Sequence, residues 1–303
     1  MPVATVEMLE TVDACMLCGS RHFRAEFHEP PYEVRRCERC GLGWVSPRFD
    51  QERLAEIYKS DRYWRSPSPK TQGYTDYRAD AELYLDTFRN RLRFVLGERP
   101  THPRAGRALD VGCAAGFCMA AMRELGFETH GLEISETIAN HARERFGFDT
   151  VHIGPLEQAP YPDEHFDLIT MWDVVEHVAD PVALLTRARE LLAPGGLLVI
   201  ETQDIDSRFA RALGPKWHHY KHEEHIYHFN PSTVETLLGQ AGFRVDRLSH
   251  RYGGKYVSLH FIAERAARVH PALTKLLMPL ARFGRARVYV NFMDEMIVLA
   301  RPA

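Results

Sequence analysis

The distribution of apolar residues along the chain changes near Arg107. From this residue onward, short apolar runs alternate with longer segments in which apolar residues recur every three or four positions. The runs with the length of strands are RALDVG, ETHGLEIS, TVHI, FDLITMW and GLLVIETQ. The helical segments between them include FCMAAMREL, ETIANHARERF and PVALLTRARELLA. This alternation predicts an α/β fold with a parallel sheet covered by helices on both faces.

The two ends of the chain depart from this pattern. At the carboxyl end, GFRVDRLSHRYGG and RVYVNFMDEMIVLARP are predicted strands, and Pro271 and Pro279 interrupt the helical segment between them. Toward the amino end, FRAEF and YEVRRC have the pattern of a hairpin, and two helical segments flank the loop YWRSPSPKTQGYTDY. The predicted organisation is a small module at 1–50, a helical connector and lid at 51–103, and the α/β domain at 104–303.

Composition and charge limit the classes of protein to which the chain can belong. Of the 303 residues, 45% are hydrophobic and 26% are charged, which is typical of a globular protein. The formal net charge of −3 argues against a broad nucleic-acid-binding surface. No apolar run has the length that crosses a bilayer, and the first residues are acidic where a secretion signal needs a basic patch. We therefore expect a cytoplasmic protein without a membrane span.

Four of the six cysteines are arranged as two pairs. Cys15, Cys18, Cys37 and Cys40 form the pattern C-x2-C-x18-C-x2-C. In a chain without a secretion signal, such pairs are typical of a zinc site rather than of disulfides. Two-residue spacers let a tight turn direct two sulfurs to one ion, and four thiolates complete its tetrahedron. Because no ligand position stays open to water, we expect a structural Zn2+ that stabilises a zinc-binding module.

The segment ALDVGCAAGFCMAAM opens the alternating region with a strand, a glycine-bearing turn and a helix. Gly112 and Gly116 let the backbone approach a ligand closely. The pattern is D-x-G-x-A-x-G rather than the G-x-G-x-x-G of dinucleotide-binding folds, because Asp110 ends the strand. A carboxylate there repels a pyrophosphate and suits a ligand with an amino group and a sulfonium. In the next strand, Glu133 stands where an acidic side chain accepts both hydroxyls of a ribose.

Asp110, Gly112, Gly116 and Glu133 resemble the corresponding residues of class I S-adenosylmethionine-dependent methyltransferases. The resemblance continues through GPLEQAPYPDEHFDLITMWDVVEHVADP and LLAPGGLLVIETQ, although Ala114 stands where many members have glycine. It implies a Rossmann-like sheet of seven strands with the last antiparallel, S-adenosylmethionine as cofactor, and methyltransferase activity.

The resemblance also implies which residues line the cofactor pocket. Leu156 would flank the adenine, and Trp172, Asp173 and His177 would line the remainder. The full set of predicted cofactor-binding residues is Asp110, Gly112, Cys113, Gly116, Glu133, Ile134, Leu156, Trp172, Asp173, His177 and Tyr74.

Five histidines lie in the segment HHYKHEEHIYHF, between the fifth strand and a helix that Asn230 is expected to cap. Ligands of doubly wound sheets bind outside the carboxyl ends of the strands, so this loop faces the place of methyl delivery. A positioned base contributes roughly 10²–10⁴-fold, and the ordinary pKa of histidine suits that task near neutrality. We predict His225 as the base, with Glu224 as its partner or as the base itself, and His228 as the next candidate.

Two alternatives stay open for this loop. His218, His222 and His225 have helical spacing, so a helix would bring them to one metal ion. A histidine in such a loop is also often merely hydrogen-bonded in a structural role.

The four-cysteine module, the aromatic connector and the EHIYHF loop together resemble sugar C-methyltransferases that act on nucleotide-linked deoxyketosugars. This resemblance implies active-site roles for Glu224, His225 and Tyr77. The chain ends at Ala303, without the further carboxyl-terminal domain of that group. The expected acceptor is therefore a small polar molecule, namely a sugar, glycan or secondary metabolite, methylated on oxygen or carbon.

The aromatic residues Tyr63, Trp64, Tyr74 and Tyr77 of the connector are predicted to form a lid that excludes water from the cofactor. Packing between the connector helices and the sheet is the alternative for each of them. The rival functions are a zinc-module RNA methyltransferase and a non-catalytic S-adenosylmethionine-binding scaffold. We expect a monomer or a homodimer whose partner is a small-molecule acceptor, with nucleic acid disfavoured.

Overall fold

The computed structural model describes residues 9–64, 81–97, 106–259 and 286–303. In chain order the strands are β1 (Phe23–Glu29), β2 (Tyr32–Cys37), β3 (Gly43–Val45), β4 (Arg107–Val111), β5 (Glu128–Glu133), β6 (Val151–Ile153), β7 (Phe166–Trp172), β8 (Leu192–Gln203), β9 (Tyr227–His228), β10 (Phe243–Ser249), β11 (Lys255–Ser258), β12 (Arg287–Val290) and β13 (Glu295–Pro302). The α-helices are α1 (Gln51–Lys59), α2 (Asp61–Trp64), α3 (Ala81–Leu96), α4 (Phe117–Glu124), α5 (Glu136–Phe146), α6 (Pro181–Leu191), α7 (Arg208–Leu213) and α8 (Pro231–Gln240). Tyr74, Tyr77, Pro271 and Pro279 lie outside the described residues.

Seven strands form the main sheet in the order β10-β13-β8-β7-β4-β5-β6. The pairs among β4 to β8 are parallel, whereas β13 runs antiparallel between β8 and β10. The central strands are buried along nearly their whole length, as their continuous apolar runs require in a sheet with flanking helices. The seven-stranded methyltransferase-like sheet expected from the sequence is confirmed.

The carboxyl-terminal run RVYVNFMDEMIVLARP is two strands rather than one. Its first part, β12, pairs with β11 in a separate two-stranded sheet, and only β13 joins the main sheet. The break lies at Met293, which has a φ of 59°, and the side chain of Asn291 accepts a hydrogen bond from its N–H at 2.7 Å. A left-handed residue cannot continue an extended strand, so the chain changes direction here.

The amino-terminal hairpin belongs to a second sheet that the main domain completes. β1, β2 and β3 are antiparallel, and the fourth strand of this sheet is β9 from the histidine loop. The domain boundary at residue 50 stays a prediction, but the hydrogen bonding of this sheet crosses from one side of it to the other. No helix in the described part of the chain has both the length and the apolar character needed to span a membrane.

Helix α8 begins with the cap that the sequence predicts. The Asn230 side chain accepts a hydrogen bond from Thr233 N–H at 2.9 Å, and the Thr233 hydroxyl accepts one from Asn230 N–H at 2.8 Å. Asn230 also donates from Nδ2 to Asp206 at 2.6 Å, which ties the helix to the preceding loop.

We expect Asn230→Ala to lower the free energy of unfolding by about 2 kcal/mol, because it removes both a helix cap and a bond to a carboxylate. The matched control is Asp180→Ala at the N-cap of α6, whose exposed side chain accepts a hydrogen bond from Ala183 N–H at 2.9 Å, and which should lose about 1 kcal/mol. Urea unfolding measures both. Equal losses would mean that the Asp206 contact contributes nothing.

Candidate active site

The four paired cysteines meet at one point of the amino-terminal module. The Sγ atoms of Cys15, Cys18, Cys37 and Cys40 all lie within 4.8 Å of one another. Across the two knuckles, the Cys15–Cys40 and Cys18–Cys37 sulfur distances are 3.4 and 3.5 Å. A zinc–sulfur bond of about 2.3 Å places the sulfurs of a tetrahedron about 3.8 Å apart. The donor set and its spacing fit a zinc site, as the sequence suggests.

The thiols of this cluster differ in acidity. Burial opposes ionisation of Cys37, but hydrogen bonds from the backbone amides of Cys40 and Arg39 outweigh it and lower its pKa to about 7. Burial raises the pKa of Cys40 to about 11 and also raises that of Cys15. Four adjacent thiolates need a cation to offset their burial and mutual repulsion, which is the role a bound Zn2+ fills.

The turn after β4 has the geometry of a ligand cradle. Gly112, Ala114 and Gly116 have φ values of 72°, 46° and 77°, so three alternate residues are left-handed. A Cβ at Gly112 would lie 3.0 Å from the side chain of Val174. The glycines therefore keep the backbone close to the next loop at the start of α4, where a ligand can approach.

Glu133 ends β5 beside this turn and is almost completely buried. Its two carboxylate oxygens accept hydrogen bonds from the N–H groups of Ala114 and Ser135, each at 2.9 Å. Burial raises the pKa of Glu133 to about 7, against the effect of those backbone bonds. The carboxylate thus joins the glycine turn to the loop after β5.

Asp110 lies at the carboxyl end of β4 and is equally buried. Its Oδ1 accepts a hydrogen bond from the Thr170 hydroxyl at 2.6 Å. Burial raises its pKa to about 7, and the nearby charge of Glu133 adds to the effect. Two neighbouring buried carboxyls in a low-dielectric site favour a cationic ligand.

The other residues expected to line the cofactor pocket lie near the carboxyl edge of the sheet, but their side chains point in different directions. Trp172 ends β7 and donates from Nε1 to the sulfur of Cys118 at 3.1 Å, so its indole N–H is directed into the protein. Asp173 follows with a φ of 54°, and its Oδ1 has no hydrogen-bond partner among the described residues. The Cys113 thiol packs against Gly131, since a Cβ there would lie 2.7 Å from it. Leu156 is buried and Ile134 is half-buried.

Part of the predicted aromatic lid is described, and it is packed rather than open. Tyr63 and Trp64 are both buried, with their ring centroids 5.0 Å apart. Trp64 donates from Nε1 to Ser135 Oγ at 3.1 Å, which places the indole next to the loop that Glu133 holds.

A histidine pair lies on the loops after β7 and β8. The rings of His177 and His225 are edge to face, with centroids 4.7 Å apart, and one carboxylate oxygen of Glu176 completes a group whose ligand atoms lie within 4.8 Å of one another. His225 Nδ1 and Glu176 Oε1 are buried and have no hydrogen-bond partner among the described residues. Burial, followed by the charge of His177, places the pKa of His225 well below its usual range. Its imidazole is therefore neutral at physiological pH.

His177 is held from two sides. Its Nδ1 is 2.7 Å from the backbone oxygen of Glu224 and 2.6 Å from the Tyr58 hydroxyl. Donation from Nδ1 to a carbonyl leaves Nε2 free to accept a proton or bind a metal, since one bond fixes the tautomer of the other nitrogen. Tyr58 and Glu176 were missed by the sequence reasoning. Glu176 stands beside His177 in the sequence, and that adjacency was the available signal.

Two of the remaining histidines, His218 and His219, lie together beside Asp294, with ring centroids 4.1 Å apart. His218 Nε2 is 3.9 Å from Asp294, whereas His222 Nε2 is 3.3 Å from Glu29 of β1. The alternative in which a helix brings His218, His222 and His225 to one ion is wrong, because residues 222–224 form a turn, and His218 and His225 belong to different groups of candidate ligands.

The two other acid–base candidates of the loop are engaged elsewhere. The Glu224 carboxylate pairs with Lys221 at 2.8 Å. His228 is completely buried in β9, where its Nδ1 is 3.5 Å from the amide nitrogen of Gln203 and its ring packs against Tyr220.

A buried charge network lies next to the site and was also missed. Arg91 of α3 is 5.2 Å from the Trp172 ring and 2.6 Å from a carboxylate oxygen of Glu201. Glu295, 3.7 Å from Arg91, pairs in addition with Lys255 at 2.9 Å. The residues are far apart in the sequence, so nothing in it indicates that they meet.

A family model described as a methyltransferase domain matches residues 77–248, more than half of the chain. The protein belongs to this family. The glycine cradle and the two buried acidic residues fit S-adenosylmethionine, the cofactor that the sequence resemblance implies.

Individual relatives agree with this assignment. A ubiquinone biosynthesis O-methyltransferase of Cereibacter sphaeroides is 37% identical over 117 residues, covering 37% of this methyltransferase and 47% of that protein. The chain thus spans about half the length of that curated relative. A protein of Mycolicibacterium smegmatis named as a probable S-adenosylmethionine-dependent methyltransferase is 24% identical over 226 residues, or 70% of this chain and 85% of its own.

Among solved structures, magnesium protoporphyrin IX methyltransferase of Synechocystis PCC 6803, with bound SAH, is similar in fold. The TM-score is 0.53 at 14% identity, and the match covers 84% of this chain and all of that one. This likeness concerns the fold alone.

We expect the methyltransferase to carry one zinc per chain, and Cys37→Ser to yield insoluble or metal-free protein, because three thiolates leave the tetrahedron open. Metal analysis by mass spectrometry and thermal unfolding measure this. Cys113→Ser, outside the cluster, is the control and should keep the zinc. Full stability of the metal-free protein would contradict a structural metal.

The affinity for S-adenosylhomocysteine should fall by roughly three- to tenfold from pH 8 to pH 6, because protonation of Asp110 and Glu133, each with a pKa of about 7, removes the charges that attract the ligand. Asp110→Asn should bind more weakly at pH 8 and vary less with pH. The exposed Asp163→Asn is the control. Calorimetry measures the dissociation constant, and a constant value over this pH range would show that neither carboxylate contacts the ligand.

Proposed function

We propose that this methyltransferase transfers the methyl group to a small polar acceptor bound between the glycine cradle and the histidine pair, with His225 as general base. The observation that carries the proposal is the buried Nδ1 of His225, which lacks a partner in the described chain and lies on the loop above the carboxyl edge of the sheet. A neutral imidazole in that position accepts a proton without first losing one.

The chain's own residues divide the remaining tasks. Asp110 attracts the amino end of the cofactor, Glu133 accepts its ribose hydroxyls, and the left-handed backbone at Gly112 and Gly116 lets it approach α4. Leu156 flanks the adenine. The proposed set of cofactor contacts also includes Cys113, Ile134, Trp172, Asp173, His177 and Tyr74.

S-adenosylmethionine supplies a methyl group that is already activated as a sulfonium. The protein must therefore align the acceptor and remove its proton, and alignment alone accounts for much of the rate. In this proposal His177, fixed by the Glu224 carbonyl and Tyr58, packs against the His225 ring and holds it toward the acceptor. Glu224 acts through its backbone, since its carboxylate is paired with Lys221.

The acceptor we propose is a sugar, glycan or other secondary metabolite with a hydroxyl group. The O-methyltransferase relative of Cereibacter supports oxygen as the atom methylated. The four-cysteine module, with a structural zinc, and the EHIYHF loop support kinship with sugar C-methyltransferases, in which Tyr77 would join His225 and Glu224. An acidic carbon beside a ketone is the corresponding acceptor atom in that case.

RNA is a weaker candidate because the basic residues of the module are largely engaged. In RRCERC, Arg35 pairs with Glu33 at 2.8 Å and Arg36 pairs with Asp206 at 2.5 Å. Charges paired in this way are not available to neutralise phosphates.

We expect His225→Ala to lose roughly 10²–10⁴-fold in turnover while its affinity for S-adenosylhomocysteine changes less than about threefold, because the base acts only on the acceptor proton. The assay uses methyl-labelled S-adenosylmethionine with a panel of catechols, nucleotide-linked deoxysugars and hydroxylated carboxylic acids. The exposed His22→Ala is the matched control.

The pH dependence of kcat is a second test of the role of His225. Because burial lowers the pKa of His225, the acid limb of kcat should lie below pH 6.5. Equal loss of turnover and cofactor affinity in His225→Ala would place the residue in the cofactor pocket, and absence of methylated product from every panel member would remove the proposed acceptor classes.

A further inference from the structure

We propose that the four-cysteine module is part of the catalytic apparatus and positions His225 through the backbone of Ile226. This inference rests on the proposed role of His225, but its central claim concerns the geometry of the loop. In this proposal, strand β3 of the module and Arg36 position His225 and do not contact the acceptor.

The peptide groups around Ile226 are bonded on both sides. Toward the module, the Ile226 carbonyl accepts a hydrogen bond from Val45 N–H at 3.0 Å, and the two residues that follow it form β9 against β3. Toward the main domain, Ile226 N–H donates to the backbone oxygen of Glu176 at 3.0 Å. A single residue next to His225 thus links the zinc-binding sheet to the loop that carries Glu176 and His177.

The residue on the other side of His225 is fixed as well. The Glu224 carbonyl is 2.7 Å from His177 Nδ1, and His225 N–H donates to the Lys221 carbonyl at 2.8 Å. Because Glu224 and Ile226 are both held, the position of the His225 imidazole is fixed from two sides. The module lies on one side, and the loop that carries His177 lies on the other.

Side chains reinforce the backbone contact. His222 has its Nε2 3.3 Å from Glu29 of β1 and its ring 5.3 Å from Phe27. Arg36, next to the zinc ligand Cys37, pairs with Asp206 at 2.5 Å. The loop therefore runs between the module and the main sheet, rather than over an open surface.

In this arrangement the module affects the rate of methyl transfer. A displacement of about 1 Å in a catalytic group can cost roughly 10²-fold, whereas loss of one neutral hydrogen bond costs only about 1 kcal/mol of stability. Since metal binding supplies folding energy to a small zinc site, the zinc maintains the position of a base it does not touch.

The test displaces β9 from the module side. Gly43 pairs with His228, and a Cβ there would lie 3.0 Å from His228 Cβ and 3.2 Å from its backbone oxygen. Gly43→Ala and Gly43→Val therefore push the loop by graded amounts. Gly239→Val, where the added Cβ meets nothing within 4 Å, is the matched control.

A second pair of variants removes a charge contact instead of adding bulk. Arg36→Gln breaks the pair with Asp206, and Arg24→Gln removes an exposed arginine of the same module as its control. All variants are compared as full-length, zinc-loaded protein, with zinc content and thermal unfolding measured first.

Three measurements follow: the affinity for S-adenosylhomocysteine, the ring carbon resonance of His225, and the amide exchange of residues 224–228. The resonance is assigned as the one that His225→Ala lacks. We expect Gly43→Val and Arg36→Gln to retain one zinc and bind the ligand within about twofold, but to shift the resonance and speed the exchange. With an acceptor from the panel, kcat should fall about tenfold or more.

An unchanged resonance and unchanged exchange in Gly43→Val would overturn the inference, as would equal effects of Gly239→Val. Loss of zinc and ligand affinity together would also overturn it, since the module would then support the whole fold rather than the loop. If the panel yields no product but the resonance shifts as expected, the proposed acceptor has failed and the positioning has not.

Discussion

Desolvation of ionisable side chains at the carboxyl edge of the sheet is the constraint on which the site depends. Asp110 and Glu133 are almost inaccessible, and burial raises the pKa of each to about 7. Since these values exceed those of the unfolded chain, the two groups contribute less to stability as the pH rises from about 4 to 7. A positively charged ligand would offset the cost of their ionisation. In the proposed site, stability and cofactor binding are therefore coupled through the same two groups.

The second sheet constrains the histidine loop. The three strands of the four-cysteine module alone would have an open edge at β3, and strand β9 of the histidine loop covers it. The pairing satisfies the backbone of both partners and fixes the loop above the main sheet. The module, which the sequence suggests is a separate domain, is thus hydrogen-bonded to the loop that carries most of the candidate acid–base residues.

The features that follow from local spacing were predictable from the sequence. The strands after Arg107, the glycine turn and the cysteine pairs each depend on residues within one short segment, and the family's sheet order supplied the topology. The split between β12 and β13 was not predictable, because it depends on the left-handed backbone of Met293. A residue with a bulky side chain rarely adopts that conformation, so its identity does not indicate it. The Arg91–Glu201 pair was equally hidden, since it joins a helix and a strand more than a hundred residues apart.

The histidine loop shows why composition alone pointed to the right region but not to the right partners. Helical spacing suggested that His225 would join its neighbours in the loop, yet tertiary contacts pair it with His177 and Glu176 from the loop after β7. Burial then acts on the three groups in opposite directions, since it lowers the pKa of both imidazoles and raises that of the carboxyl group. All three are driven toward their uncharged forms. In the proposed mechanism this burial keeps His225 unprotonated and so able to accept a proton, and it also makes the resulting imidazolium costly, because desolvation disfavours the charged form.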